Sequence, residues 1–464
     1  MKRGNFKTIA GSICAPLGIQ AAAVFCGIKT LGTGKGSNKG AKPDLALIVS
    51  DFPATVAGLF TTNKVCAAPV KLSAKVATGA ATARMIVANS GNANACTGQQ
   101  GMRDAKGMSR AAAQAVAAVY DRRHNLDRAV RPNEVMVCST GRIGVPMPMR
   151  RVEDGIRHCA RLLARSRAKA REVAEAIMTS DTRRKEIAVE IDLDGSAVRI
   201  GGICKGAGMI QPRMAATGAI GRGGGMRRQS GAATKHATML AFITSDAAIG
   251  SRQLKAALTE AVDHSFNRIT VDGDMSTNDS VIAMANGLAG NPLIGMSGKH
   301  FRKFSDGLNF VCLELAKMIV RDGEGVSRFV TIRVRNANSP GDAERAARAI
   351  ACSSLVRTSW CGGDPNWGRV LCAVGYSGAA MDERQTAIGY STPTSRRVLY
   401  GFRNGKPTTV SFQQLAAITA APEFDLHINL GRGRGEFVMY ASDLTEKYVT
   451  FNKGDITDPA SLGG

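Results

Sequence analysis

The stretch Lys205-Gly206-Ala207-Gly208-Met209-Ile210, followed after an interval by Ala237-Thr238-Met239-Leu240-Ala241-Phe242-Ile243, decides how the rest of the chain is read. The first segment is a glycine-rich loop carrying one lysine. The second is an apolar run of strand length that opens on a threonine directly after a small residue. Scission of the Ala237–Thr238 bond would make that threonine the first residue of a new chain. Its free α-amine would then be the base that activates its own hydroxyl, the threonine and N-terminal-amine form of covalent catalysis. Between the two segments, residues 215–236 hold six glycines, four Lys/Arg residues and no acid. Such a tract cannot bury a core and predicts a flexible loop.

Outward from this pair, strand-like and helix-like segments alternate. Residues 44–50 and 84–89 are short, continuous apolar runs that predict buried strands ending in polar loops. Residues 104–120 are alanine-rich with helical spacing, and 152–176 predict helices broken near Ser166. Asp194-Gly195 between 187–191 and 197–200 is a hairpin signal. Further strands are predicted at 329–334 and 437–441, and a helix at 342–351. The class is α/β, and 464 residues suit two or three domains or one large two-part unit.

Composition narrows the function. Aromatic residues are only 5% of the chain, too few for the stacking platforms of single-strand nucleic-acid binders. The net charge of +24 suggests a polyanion partner, but the basic residues are scattered as Arg122-Arg123, Arg150-Arg151, Arg183-Arg184 and Arg227-Arg228 without a long block. A solvated basic surface is the better reading, so no nucleic-acid partner is expected. Eleven cysteines lie singly between Cys14 and Cys372 with no C-x-x-C pair, as expected of reduced, part-buried thiols. His124, His158, His236, His264, His300 and His427 form no ligand pattern, and no metal is expected. No apolar stretch approaches the roughly 18–20 residues of a membrane helix. The basic start Met1-Lys2-Arg3 leads into a segment broken by glycine and proline, a poor signal peptide. A cytoplasmic protein is therefore expected.

Several polar runs are too rich in Asn, Thr, Ser and Gly for plain connectors. Residues 89–98 are one. Cys138-Ser139-Thr140-Gly141, after the strand-like residues 134–137, is another. Thr140-Gly141 can form an oxyanion hole, because glycine leaves its N–H uncovered and threonine adds a donor; it can equally be a glycine turn after a strand. Lys205 can meet an anionic substrate, although a lysine is by default a surface charge. Thr179-Ser180-Asp181-Thr182 follows a helix and suits a turn or a substrate contact. Residues 267–274 and Arg321-Asp322-Gly323-Glu324-Gly325 set carboxylates in tight glycine turns. Asp364-Pro365-Asn366-Trp367 puts a tryptophan in a rigid loop, suited to a site or an interface. Gly34-Lys35, in the loop 31–42, lacks the spacing of a phosphate loop.

The order of these motifs resembles the glutamate N-acetyltransferase (ornithine acetyltransferase) family of arginine biosynthesis. The shared segments are 54–63 (Ala-Thr-Val-Ala-Gly-Leu-Phe-Thr-Thr-Asn), 90–98, 139–146, 177–185, 205–212, 237–246, 266–279, 322–325 and 364–369. Similarity extends over about residues 12–452, nearly the whole chain. The resemblance implies layered sheets sandwiched by helices, an N-terminal-nucleophile-like fold that cleaves itself between Ala237 and Thr238. Residues 1–237 and 238–464 would then be α and β segments that stay associated, as a heterotetramer of two α and two β. It also implies ping-pong transfer from N-acetylornithine to glutamate, with Thr238 as nucleophile and Thr140 and Gly141 as the oxyanion pair. Thr179, Lys205, Thr238, Glu324 and Asn452 match substrate-binding positions, with Thr457 a looser match in the tail. No cofactor is implied, and acetyl-CoA as a further donor is left open.

Three departures stand against the family pattern. The lysine loop there runs closely into the nucleophile, whereas residues 215–236 intervene here. Pro212-Arg213-Met214 replaces a Pro-Asn-Met, and the tail after Asn452 is loose. Thr217 is consequently a rival nucleophile, although 239–246 continue the family pattern and 218–220 do not. An aminopeptidase or amidase of the same fold, or an unprocessed polyanion-binding protein, are the alternative functions.

Overall fold

The structure, a computed structural model, describes residues 6–29, 42–79, 82–122, 130–218 and 238–453. They fall into two compact units, the first within residues 6–267 and 275–319, the second formed by 268–274 and 320–453. Most of the predicted tract 215–236, most of the loop 31–42, Ala237 and Thr457 lie outside the described residues.

The first unit contains β1 (Phe6–Thr8), β2 (Ile19–Val24), β3 (Leu45–Thr61), β4 (Thr82–Asn92), β5 (Val135–Arg142), β6 (Lys185–Leu193), β7 (Ser196–Lys205), β8 (Met214–Ala215) and β9 (Leu240–Ser245). After β10 (Ile269–Thr270), which belongs to the second unit, β11 (Ser280–Ala285) returns to the first. They form one sheet in the order β1-β6-β7-β9-β11-β3-β4-β5, with β2 and β8 also paired to β3. The apolar runs are continuous because both faces are covered. Ala46, Ile48, Ile86, Ala88, Met136 and Cys138 share one core with Ala170 and Val173 of the helix Arg167–Ala176. The alternate residues Leu45, Leu47, Val49, Met85, Val87, Val135 and Val137 face Met108, Ala112 and Val116 of the helix Gly98–Arg122 and Val152 and Ile156 of the helix Met149–Arg161. The fold is α/β, with sheet between layers of helix.

Local signals read from the sequence have their expected physical form. The predicted break near Ser166 is a cap: its hydroxyl accepts the Lys169 N–H at 3.1 Å and starts the second helix. At the Asp194-Gly195 turn both residues take positive φ, +55° and +90°, as a two-residue hairpin requires. One expectation changes. The strand predicted over 134–137 continues through Thr140 and Gly141 to Arg142 instead of giving way to a turn. Its parallel partner β4 also runs on, so Asn89, Ser90 and Gly91 pair Ser139, Thr140 and Gly141.

The second unit has β12 (Phe329–Ala337), β13 (Ala387–Ser391), β14 (Leu399–Arg403), β15 (Lys406–Pro407), β16 (Glu423–Asn429) and β17 (Gly435–Ser442), in the order β10-β17-β12-β16-β13-β14-β15. Val330, Ile332 and Val334 of β12 share a core with Ala343, Ala346, Ala347 and Ile350 of the helix Pro340–Cys352. Trp367, read as suited to a site or an interface, packs against this core and stacks on Phe402 with ring centroids 5.1 Å apart. Its neighbour Asn366 caps the following helix by accepting the Arg369 N–H. All eleven cysteines are free thiols. Among the described residues, no helix is long and apolar enough to cross a membrane, and no group of three His, Cys, Asp or Glu is placed to hold a metal.

Candidate active site

β7 ends at Lys205, where the backbone turns at Gly206 with φ +150°. The antiparallel register sets Leu240 of β9 opposite Lys205, so Thr238, two residues ahead of Leu240, lies just past the end of β7. The glycine loop and the threonine are thus neighbours in space although residues 215–236 separate them in sequence. Thr238 is buried, and its Oγ1 lies 2.7 Å from the fully buried Ser276 Oγ. The Asn278 N–H donates to that same Ser276 oxygen at 3.1 Å. Next in the chain, the Met239 N–H donates to Asp279 Oδ1 at 2.9 Å, and the Met239 carbonyl accepts the Ser280 N–H at 3.1 Å. Residues 276–280 therefore hold the threonine on its strand from one side.

The same segment reaches the Thr140-Gly141 strand. Asn278 Nδ2 donates to the carbonyls of Ala93 at 2.7 Å and Ser139 at 2.9 Å, fixing the backbone one residue before Thr140. Ser139 Oγ donates to Asn89 Oδ1 at 2.6 Å and ties β5 to β4. Gly141 has φ +130°, and a Cβ there would stand 2.3 Å from the Gly91 carbonyl carbon. Only glycine fits so close to the neighbouring backbone.

Lys205 is the third part. A lysine in a glycine loop is a surface charge by default, but here the β7 position buries it completely. Its Nζ donates to Thr179 Oγ1 at 2.7 Å and to Thr140 Oγ1 at 3.3 Å, and lies 4.0 Å from Asp181 Oδ2. Because Thr140 accepts from a cation, its own O–H is left to donate elsewhere, strengthened by that charge. Asp181 is the anchor of the cluster. Its Oδ1 accepts Lys185 Nζ at 2.6 Å and the Gly206 N–H at 2.7 Å, and its Oδ2 accepts the Thr179 N–H at 3.0 Å. Burial by itself raises its pKa. The Lys185 and Lys205 ammonium groups and the Gly206 N–H outweigh that and hold the carboxyl well below the usual carboxylate range. The lysine loop is thus pinned at its start, at Lys205 and Gly206, by one ionised carboxylate.

A second group forms in the second unit. Asn452 Nδ2 donates to Glu324 Oε2 at 2.9 Å, and Glu324 is buried in its turn. Thr445 caps the helix Glu446–Asn452 by accepting the Tyr448 N–H, and it donates to the Gly325 carbonyl at 2.6 Å. Gly325 has φ +69°, and a Cβ there would lie 2.4 Å from the Tyr448 nitrogen. Tyr448 Oη donates to Asp272 Oδ2 at 3.3 Å. Burial, then the nearby carboxylates of Asp272 and Glu324, push its phenol pKa up and keep it neutral.

The candidates fall into two sets: Thr238, Thr140, Gly141, Thr179 and Lys205 in the first unit, Glu324 and Asn452 in the second. Ser276, Asn278 and Lys185 were not singled out from sequence, and Asp181 was read there only as part of the run 179–182. The signal for the first two was Ser276-Thr277-Asn278-Asp279-Ser280, five polar side chains in a row directly before an apolar strand.

A buried hydroxyl just ahead of a strand, a Thr-Gly pair and a buried lysine are groups that hydroxyl-nucleophile acyl transfer uses. The profile of the ArgJ family matches residues 20–455, and the chain belongs to that family. It is 43% identical over 445 residues to the arginine biosynthesis bifunctional protein ArgJ of Symbiobacterium thermophilum, covering 96% of this chain and 98% of that protein. It is 39% identical over 450 residues to the glutamate N-acetyltransferase of Methanocaldococcus jannaschii, covering 96% and 98%. Among solved structures, a chain of ornithine acetyltransferase from Mycobacterium tuberculosis, complexed with ornithine, is 36% identical over 45% of this chain and 100% of that chain, with a TM-score of 0.38.

Proposed function

We infer that this ArgJ-family protein is an acetyltransferase of arginine biosynthesis that moves the acetyl group from N-acetylornithine to glutamate. Thr238 Oγ1 attacks the acetyl carbonyl carbon, and its proton passes through the Thr238 α-amine to the departing ornithine nitrogen as the C–N bond breaks. The acetyl ester left on Thr238 is attacked by the glutamate amine. The C–Oγ1 bond breaks, and the proton shed by glutamate returns to the threonine oxygen through the same α-amine. The Thr140 hydroxyl and Gly141 N–H stabilise the oxyanion of each tetrahedral intermediate. Thr179 and Lys205 bind substrate, Lys205 as counter-charge to a carboxylate. Glu324, with Asn452 and Thr457, anchors a substrate ammonium.

The observation that carries this reading is the buried Thr238 hydroxyl, held two residues before β9 and just past the end of β7, where the lysine loop begins. The rival Thr217 is exposed, which favours Thr238. Cleavage between Ala237 and Thr238 is compatible with lasting association of segments 1–237 and 238–464. β9 and β11 come from the second segment and lie hydrogen-bonded between β7 and β3 of the first. Extracting two inner strands would break ladders on both sides. An assembly of two α and two β segments, a cytoplasmic location and acetyl-CoA as a second donor complete the proposal.

The test is direct. Purified protein is expected to give two bands on a denaturing gel, one beginning at Thr238 by mass spectrometry. Thr238→Ala is expected to abolish both cleavage and transfer. Retained activity in that variant transfers the role to Thr217. Release of free acetate in place of N-acetylglutamate makes the protein an amidase. Parallel assays with N-acetylornithine and acetyl-CoA decide the donor, and sizing by light scattering decides the assembly.

A further inference from the structure

We propose that Ser276 is a catalytic hydrogen-bond donor to the nucleophile oxygen, acting in both halves of the acetyl transfer. The inference rests on Thr238 as nucleophile. Ser276 Oγ is fully buried and 2.7 Å from Thr238 Oγ1. Each hydroxyl has one hydrogen to give. In the attacking state Thr238 gives its hydrogen to its own α-amine, so at the 2.7 Å contact Thr238 is the acceptor and Ser276 the donor. The Asn278 N–H already donates to Ser276 Oγ at 3.1 Å. That bond occupies a lone pair of the serine and leaves its O–H to point at Thr238. The Ser276 carbonyl accepts Thr61 Oγ1 at 2.8 Å, so the residue is held from its backbone as well.

Such a donor has two effects. It takes one lone pair of Thr238 Oγ1, which fixes the side-chain rotamer and aims the remaining lone pair. It also stabilises the negative charge on Oγ1 wherever the C–Oγ1 bond is partly formed or partly broken. That occurs when threonine attacks N-acetylornithine and again when glutamate expels threonine from the ester. No proton leaves Ser276 in either step; its O–H bond stays intact and only the hydrogen bond tightens. A neighbour that merely packed against Thr238 would have no such effect on a charge that develops in the transition state.

Ser276→Ala is expected to lower kcat roughly 10- to 100-fold with KM for both substrates within about twofold, the pattern of an interaction made in the transition state. Exchange of labelled ornithine into N-acetylornithine, which reports the first half-reaction alone, is expected to slow by a similar factor. The pH dependence of kcat/KM should keep its shape, because the α-amine base is untouched. Ser276→Cys keeps the side-chain shape with a somewhat larger atom, offers a weaker donor and should fall between. Unchanged kcat and exchange rates in Ser276→Ala overturn the inference. If that variant does not fold, an unchanged rate in Ser276→Cys does so. Thr238→Ala run in parallel separates the two readings. An inactive Thr238→Ala beside a fully active Ser276→Ala removes only the serine, whereas an active Thr238→Ala removes the nucleophile assignment itself.

Discussion

Thr140 takes its place in the site from the groups around its hydroxyl. Lys205 donates to its Oγ1, and the parallel pairing with Ser90 holds its backbone. Thr140→Val keeps the shape and removes the donor. Loss of one oxyanion donor costs on the order of 10²-fold in kcat. Steady-state kinetics should show that fall with little change in the melting temperature. A variant with full kcat would remove Thr140 from the oxyanion pair. The hydroxyl of Thr140 was legible in the sequence as a candidate. Its partner was not, because Lys205 lies 65 residues away and a lysine beside glycines has no local mark of burial.

At the scale of elements, β5 carries the proposed oxyanion pair Thr140 and Gly141, and β4 accompanies it past Ser139. Gly141 is where the two backbones come closest. A methyl group there meets the Gly91 carbonyl carbon at 2.3 Å, and φ +130° disfavours any side chain. Gly141→Ala should destabilise by more than the roughly 1 kcal/mol of an ordinary glycine replacement and should depress activity as well. Gly295→Ala, where nothing lies within 4 Å of the added methyl, is the matched control. Thermal melts of the two variants check the contrast; equal melting temperatures would show that β4 and β5 can part freely. Asn278 links the same strand, through Ser276, to Thr238. Asn278→Ala leaves the Ser139 and Ala93 carbonyls without that donor, and it should lower stability by about 1–3 kcal/mol together with kcat.

For the whole molecule, two titrations that burial perturbs contribute to the loss of stability in acid. In the second unit His427 is pushed down to about 4, by burial first, with Arg333 and Arg335 adding to the effect and Asp425 opposing it. Its unfolded form binds a proton below about 6.5, so between those values the unfolded state holds more protons. Stability therefore falls as pH drops from about 6.5 to about 4. In the first unit Asp181 is held low, so its contribution is complete above the ordinary carboxylate pKa of about 3.9 and is lost as pH falls further below it. Denaturant melts from pH 7 to 3 should show both losses, the upper one removed in His427→Gln. An unchanged slope in that variant would acquit the histidine.

Periodicity and turn chemistry were enough for the α/β class, the helix break at Ser166 and the Asp194-Gly195 hairpin. Each depends on residues within a few positions of one another, and backbone sterics and hydrogen bonding act at that range. The ordered motifs were enough for the family. Tertiary structure alone decided that β9 and β11 lie between β7 and β3, that Lys205 is buried against Thr179 and Thr140, and that Ser276 meets Thr238. Those partners lie 26 to 65 residues apart along the chain. They meet only when distant strands choose their neighbours and register, a choice made by burial of whole sheet faces that no local pattern encodes.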